Sequence, residues 1–289
     1  MAFHPAIQEM LNRYQIKSKD DIKNALKEVI QEVALLGLAR QNFFDKASFY
    51  GGTALRIAHR LDRFSEDLDF ELLKGIKDFR LESYLKGIDD ELKSFGLNLK
   101  SEKKIKSSES AVDSAFIKGN TLEHLLMIDG LEDARSGINK NDIIKIKLEI
   151  DLVPPDTSSS TEILVHEYPI FFSYRSLDLP SLFAGKLHAV LCREWKGERV
   201  KGRDYYDFLW YIKHKVSPNL PYLESKLRQS GNWTEGELKK ESLQDLLNKK
   251  FETLNWENAK KDVLPFIKDP FALNVWNKDF FKAIVNEIL

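Results

Sequence analysis

Asp67 and Asp69 stand two positions apart in the run DLDFELL, whose alternation predicts a strand. Alternate side chains of a strand point to the same face. The two carboxylates therefore suit a hard divalent cation, Mg²⁺ or Mn²⁺, which prefers oxygen ligands and commonly takes few carboxylates plus substrate phosphates. Upstream, Gly51-Gly52-Thr53 supplies a turn whose backbone N–H groups can approach an anion closely, a following helix N-terminus, and a hydroxyl. A third carboxylate would complete a metal-ion phosphoryl-transfer site, in which cations clamp the attacking and leaving oxygens. The run KIKLEID offers Glu149 and Asp151 on one face, and either could orient or deprotonate an acceptor hydroxyl. Taken singly, a DxD or a Gly-Gly more often marks an exposed strand or an ordinary turn.

The elements that must position these residues are legible from periodicity. Ala47 to Tyr50 reads as a strand broken by the glycines, and TALRIAHRL as a short helix. Before them, apolar residues at Ile22, Ala25, Leu26, Val29, Ile30, Val33 and Leu36 have helical spacing, with Ser18 as N-cap. Residues 78–95 read as a helix, and residues 96–128 hold short alternating runs compatible with strands. The clearest strand is Ile143 to Val153. One face carries Ile144, Ile146, Leu148, Ile150 and Leu152; the other carries Lys145, Lys147, Glu149 and Asp151. Pro154-Pro155 stops it, since proline cannot donate to a ladder. DTSSST reads as a loop and residues 163–172 as a further strand. From Leu179 onward the pattern is helical. The predicted fold class is α+β and bilobed: a mixed sheet flanked by helices over residues 1–175, and a helical lobe over 176–289.

The chain has 289 residues, 43% hydrophobic and 31% charged, with a formal net charge of -1. Near neutrality argues against non-specific coating of nucleic acid, but leaves room for a local basic face. The lysine runs near 103–106 and 239–250 read as solvated surfaces. The single cysteine, Cys192, excludes an intramolecular disulfide and fits a reducing cytoplasm. The start has no signal-peptide layout, and no apolar run has membrane-spanning length. These features lead us to expect a cytoplasmic protein with no membrane partner. His59 and His188 lie in helical segments and read as packed residues. The cluster Tyr205, Tyr206, Phe208, Trp210, Tyr211 reads mostly as core.

GGTALRIAHRLDRFSEDLDF resembles the signature of the polymerase-β-like nucleotidyltransferase superfamily. With Arg56, Arg63, Ser65 and SEDLDF it resembles one branch, the AbiEii/AbiGii toxin family. KIKLEI, AGKLHAVLCR and GRDYYDFLW continue the resemblance in order, from about residue 47 to residue 210. The resemblance implies a nucleotidyltransferase core joined to a helical lobe, with the active site in the cleft between them. It implies transfer of a nucleoside monophosphate from an NTP to RNA, notably tRNA 3′ ends, blocking translation. It also implies a toxin of an abortive-infection, phage-defence system with a cognate antitoxin. By resemblance, Gly51, Gly52 and Thr53 cradle phosphate, with Arg56, Arg63, Ser65 and Asp207 also on the nucleotide. Asp67 and Asp69 hold the metal, and Glu149 sits at the usual third acidic position. Lys186 faces the triphosphate, and Asp204 is the aspartate of an R-D pair. The same core serves protein hydroxyls and small molecules such as aminoglycosides as acceptors.

Read without the resemblance, Lys186 has an apolar neighbourhood and would run its stem along the core with its head in water. Asp204 would stabilise a helix start, and Arg203 would pair with Asp207 at i, i+4.

Overall fold

The computed structural model describes residues 4–103, 112–120, 143–157, 159–193 and 200–288. The chain forms two compact units. The first comprises Met1–Ala54, Phe64–Pro154 and Ile163–Ser176; the second comprises Leu55–Arg63, Pro155–Glu162 and Leu177–Leu289.

The first unit is built on a mixed seven-stranded sheet among the described residues, with strands β1 Ala47–Tyr50, β2 Leu68–Leu72, β3 Lys100–Lys103, β4 Val112–Asn120, β5 Ile143–Asp151, β6 Thr161–His166 and β7 Phe172–Leu177. Their order is β3-β4-β5-β2-β1-β7-β6. β2 runs antiparallel to β1 and parallel to β5, and β4 runs antiparallel to β5. The alternation read in the sequence is realised up to Asp151, where β5 ends; Leu152, expected on the apolar face, lies beyond the strand and is half-buried. Ile144, Ile146, Leu148 and Ile150 are buried, while Lys145 is exposed and Lys147, Glu149 and Asp151 are half-buried.

Helices α1 (Pro5–Asn12), α2 (Lys19–Ala39) and α4 (Glu82–Ser94) belong to the same unit. Ser18 caps α2, its Oγ accepting from the Asp21 N–H at 3.1 Å, and Ala25, Leu26, Val29, Ile30 and Val33 are fully buried. Each of the larger ones, Leu26, Val29, Ile30 and Val33, contributes about 1.5–3 kcal/mol. Phe43, Phe49 and Phe70 are likewise fully buried and meet edge-on or tilted. They form the aromatic floor under β1 and β2. Helix α3 (Gly51–His59) starts directly at the glycine turn, so both glycines lie inside it rather than ahead of it.

The sequence predicts one strand over residues 163–172, but the structure has two, β6 and β7, separated around Pro169. Proline has no N–H to give a ladder, so the apolar run divides there. The expectation for strands after residue 120, and most of the lysine run 103–106, lie outside the described residues.

The second unit is helical: α5 Leu179–Cys192, α6 Gly202–Lys213, α7 Leu220–Gln229, α8 Lys240–Thr253, α9 Trp256–Val263 and α10 Lys278–Val285. Asp178 caps α5 by accepting from the Ser181 N–H at 2.9 Å. Tyr205, Phe208 and Tyr211 are buried against Phe183, Phe251 and Phe281, so the aromatic cluster is mostly core; Tyr206 is half-buried, its hydroxyl donating to Asp62 at 2.9 Å. A Cβ at Gly202 would lie 1.8 Å from the Ala259 carbonyl oxygen. Only glycine lets the start of α6 approach α9 this closely. Among the described residues, no helix is long and apolar enough to cross a membrane.

Candidate active site

β1 delivers the chain to Gly51, whose φ of +83° lies in the left-handed region. A Cβ there would stand 2.5 Å from Asp69 Oδ2, so the Asp69 carboxylate lies directly against the Gly51 backbone. Two residues on, the buried Thr53 hydroxyl donates to the Asp67 carbonyl. That hydrogen bond ties the turn to the Asp67–Asp69 segment, against which Gly51 packs. β2 opens at Leu68, so Asp67 sits on the approach to the strand and Asp69 within it; both are half-buried.

The strand register arranges the remaining carboxylates. Asp69 is opposite Tyr50 on one side and Glu149 on the other, and Glu149 is opposite Ser114. The next row is Ser48, Glu71, Asp151 and Val112. Directly opposed residues share a face and a close Cβ separation, so Asp69, Glu71, Glu149 and Asp151 gather around Tyr50. Burial, then Asp69, Asp151, Glu71 and Glu149 in that order, push the Tyr50 phenol well above its ordinary value. Glu149 accepts from Lys147 Nζ at 2.6 Å. Asp151 Oδ1 accepts from the Val153 N–H at 3.1 Å. Glu71, Tyr50 and Ser114 were not singled out from sequence. Glu71 was within reach, being the third acid of the alternation 67, 69, 71. Tyr50 and Ser114 join only through register.

The donor chemistry fits a hard divalent cation. The side-chain donors are carboxylate and hydroxyl oxygens, with no histidine or cysteine in the rows. Among the described residues no group of three or more His, Cys, Asp or Glu is arranged to hold a metal. A two-carboxylate site at Asp67 and Asp69 is the set Mg²⁺ commonly accepts when substrate phosphates supply further oxygens.

The second unit holds the other residues of interest in one buried ionic network. Arg63 donates from Nε and Nη2 to the two oxygens of Asp207, both at 2.6 Å, with both side chains almost fully buried. Lys186 Nζ lies 2.8 Å from Asp207 and 2.8 Å from Asp204, and Arg193 is 2.6 Å from Asp204. Burial alone would raise both aspartates. For Asp204 the charges of Lys186, Arg193 and Lys201 outweigh it, and for Asp207 those of Arg63 and Lys186 do, so both sit below the usual carboxylate range. Lys186 does not place its head in water, since its side chain is only 11% exposed. Nor does Arg203 pair with Asp207: it lies 3.7 Å from Asp262 and stacks on Phe266 at 4.1 Å. Asp207 is instead claimed by the two cations that face it from other segments. Asp204 does lie in the first turn of α6, but its oxygens face Lys186 and Arg193.

Arg56 donates to the Leu61 carbonyl at 2.6 Å within the second unit. The Ser65 carbonyl accepts from Gln31 in the first. His188 is pushed down to about 4, by burial first and then by Lys226 and Arg193, and its Nε2 is 3.0 Å from the Ser230 hydroxyl. Burial also lowers His59.

A family model described as the nucleotidyl transferase AbiEii toxin of a type IV toxin–antitoxin system matches residues 33–284. No curated protein matches the chain. Two solved structures from Helicobacter pylori align with it. One is the protein JHP933, at 17% identity, covering 92% of this chain and 88% of that one, with a TM-score of 0.46. The other is described as a candidate nucleotidyltransferase, at 20% identity, covering 90% and 91%, with a TM-score of 0.44.

Proposed function

Because the chain belongs to the AbiEii nucleotidyl transferase toxin family of type IV toxin–antitoxin systems, we propose that it moves a nucleoside monophosphate from an NTP to an RNA 3′ end, with tRNA as the acceptor. Extending or blocking that end would stop translation, and a cognate antitoxin would counter it during phage defence. The observation that carries this reading is the register setting Glu149 opposite Asp69, beside the Gly51 turn.

In this reading the acceptor hydroxyl oxygen bonds to the α-phosphorus of the NTP, and the bond to the β-phosphate oxygen breaks, releasing pyrophosphate. Glu149 accepts the hydroxyl proton, a general-base role of the kind that contributes about 10²–10⁴-fold. Asp151, one row further along, is its alternative. Gly51, Gly52 and the start of α3 orient backbone N–H groups toward phosphate oxygens. Asp67 and Asp69 would hold Mg²⁺ or Mn²⁺, which when bound supplies charge neutralisation at the phosphates and at the attacking and leaving oxygens. Thr53 acts by fixing Asp67. By the family resemblance Lys186 is a triphosphate-binding charge; within the second unit Asp204 and Asp207 hold its ammonium, and Arg63 holds Asp207. By the same resemblance Arg56 and Ser65 lie on the nucleotide side.

The test is incubation of the protein with each radiolabelled NTP, Mg²⁺ and total RNA. A ribonuclease-sensitive, tRNA-sized labelled band is expected, and an Asp69→Asn protein should give none. Label in protein that survives ribonuclease, or in an aminoglycoside, would move the acceptor to those classes. No labelled product from any NTP would overturn the transferase reading.

A further inference from the structure

The sheet face that carries the carboxylates changes sign along its strands. Two rows from Asp69 and Glu149, the register sets Lys100 of β3 opposite Lys118 of β4, and Lys118 opposite Lys145 of β5. Between lies the row Glu102, Phe116 and Lys147. At about 3.3 Å per residue, the lysine row is roughly 13 Å from the carboxylate row. Lys145 Nζ lies 3.9 Å from the centre of the Phe116 ring, and Lys118 Nζ lies 5.7 Å from it. All of these residues belong to the first unit.

Two ordinary explanations do not account for the row. Lysines often protect a sheet edge from pairing, which would account for Lys100 on the edge strand β3, but Lys118 and Lys145 stand on the interior strands β4 and β5. Surface lysines often sit opposite acids, whereas here two like-charged pairs are directly opposed, an arrangement that costs stability. Lys118 does reach Glu102 at 2.6 Å. That pair is exposed, and such pairs contribute little, so a phosphate could take the acid's place. A cationic row around an aromatic ring is the composition that tracks a single-stranded nucleic acid, with phosphates on the lysines and base stacking at the ring.

We propose that Lys100, Lys118 and Lys145, with Phe116 among them, form the track that holds the single-stranded end of the RNA acceptor and leads it toward Glu149. This rests on the transferase reading for its direction, and on the register alone for its existence.

The experiment uses the full chain and the triple variant Lys100→Gln/Lys118→Gln/Lys145→Gln. Removing opposed like charges should leave the melting temperature unchanged or higher. Binding of a short fluorescein-labelled single-stranded RNA, and of bulk tRNA, is read by anisotropy across a salt series. The wild type should bind, and the triple variant should bind at least about tenfold more weakly with a salt slope shallower by about 2, as expected for three lost phosphate contacts. The RNA concentration for half-maximal labelling should rise in step. If wild type does not bind RNA, or the variant binds within twofold of it, the track is overturned. Normal labelling with unchanged RNA dependence in the variant would sink the track and leave the transferase reading standing. Weakened binding in the variant, with no labelling by wild type, would do the reverse.

Discussion

Thr53 donates its hydroxyl to the carbonyl of Asp67, fourteen positions downstream, from a fully buried position. The glycine turn and the acidic pair are therefore one mechanical unit, not merely neighbours in the chain. Replacing Thr53 by Val keeps shape and removes the donor. The Asp67 carbonyl then loses this buried hydrogen bond, at a cost of about 1–3 kcal/mol. Nucleotide transfer should fall at least tenfold, while Thr53→Ser should retain most of it. Denaturant unfolding and the labelling assay measure the two effects separately. Equal transfer rates for Val and wild type would remove Thr53 from the positioning role.

Gly51→Ala should be worse than its small size suggests. The added methyl needs a left-handed backbone, costing about 1–2 kcal/mol, and would meet the Asp69 carboxylate at 2.5 Å. Either the turn or the carboxylate must move. We expect near-complete loss of transfer in a protein that still folds, checked by circular dichroism beside the labelling assay.

Glu149 and Asp151 are separated by register, and their variants should separate too. Glu149→Gln should lower the rate by about 10²–10⁴-fold, the range for a lost general base. Asp151→Asn should lower it much less, since Asp151 lies opposite Glu71 and not Asp69. The reverse order of the two rates would give the role to Asp151.

Arg63 and Asp207 are 144 residues apart and joined by two hydrogen bonds at 2.6 Å in the interior of the second unit. Arg63→Ala leaves Asp207 buried beside Lys186 without its bidentate partner. Removing one partner of a buried ion pair costs about 3–5 kcal/mol, so the urea midpoint should fall sharply. A double change to well-packed Met and Leu should recover most of that loss.

The same network sets an acid limit. Asp204 and Asp207 are held below their ordinary values in the folded state. A depressed carboxylate contributes stability that is fully present above its unfolded pKa, about 4, and is lost as pH falls through the folded value. Stability should therefore hold from neutral pH to about pH 5 and decline below about pH 4. An Asp204→Asn/Asp207→Asn protein, less stable at neutral pH, should show a flatter decline in thermal melts over that range.

What the sequence by itself determined is local. Period-two alternation set β5 and its two faces, period-three-to-four spacing set α2, and Ser18 set where α2 begins, because each depends on neighbours within a few residues. The close approach of Gly51 to Asp69 was legible for the same reason: one turn and one short helix join them. Tertiary structure alone decided which residues stand side by side across strands and helices. The alternation of KIKLEID left Glu149 and Asp151 equivalent, and only the pairing of β5 with β2 sets Glu149 opposite Asp69. Arg203 and Asp207 had the spacing of a helical pair, yet Arg63 and Lys186 take Asp207 from distant segments. Local propensity carries no information about such partners. They are fixed by which buried charges the packed chain brings within reach, where leaving one unpaired costs more than any helical pair returns.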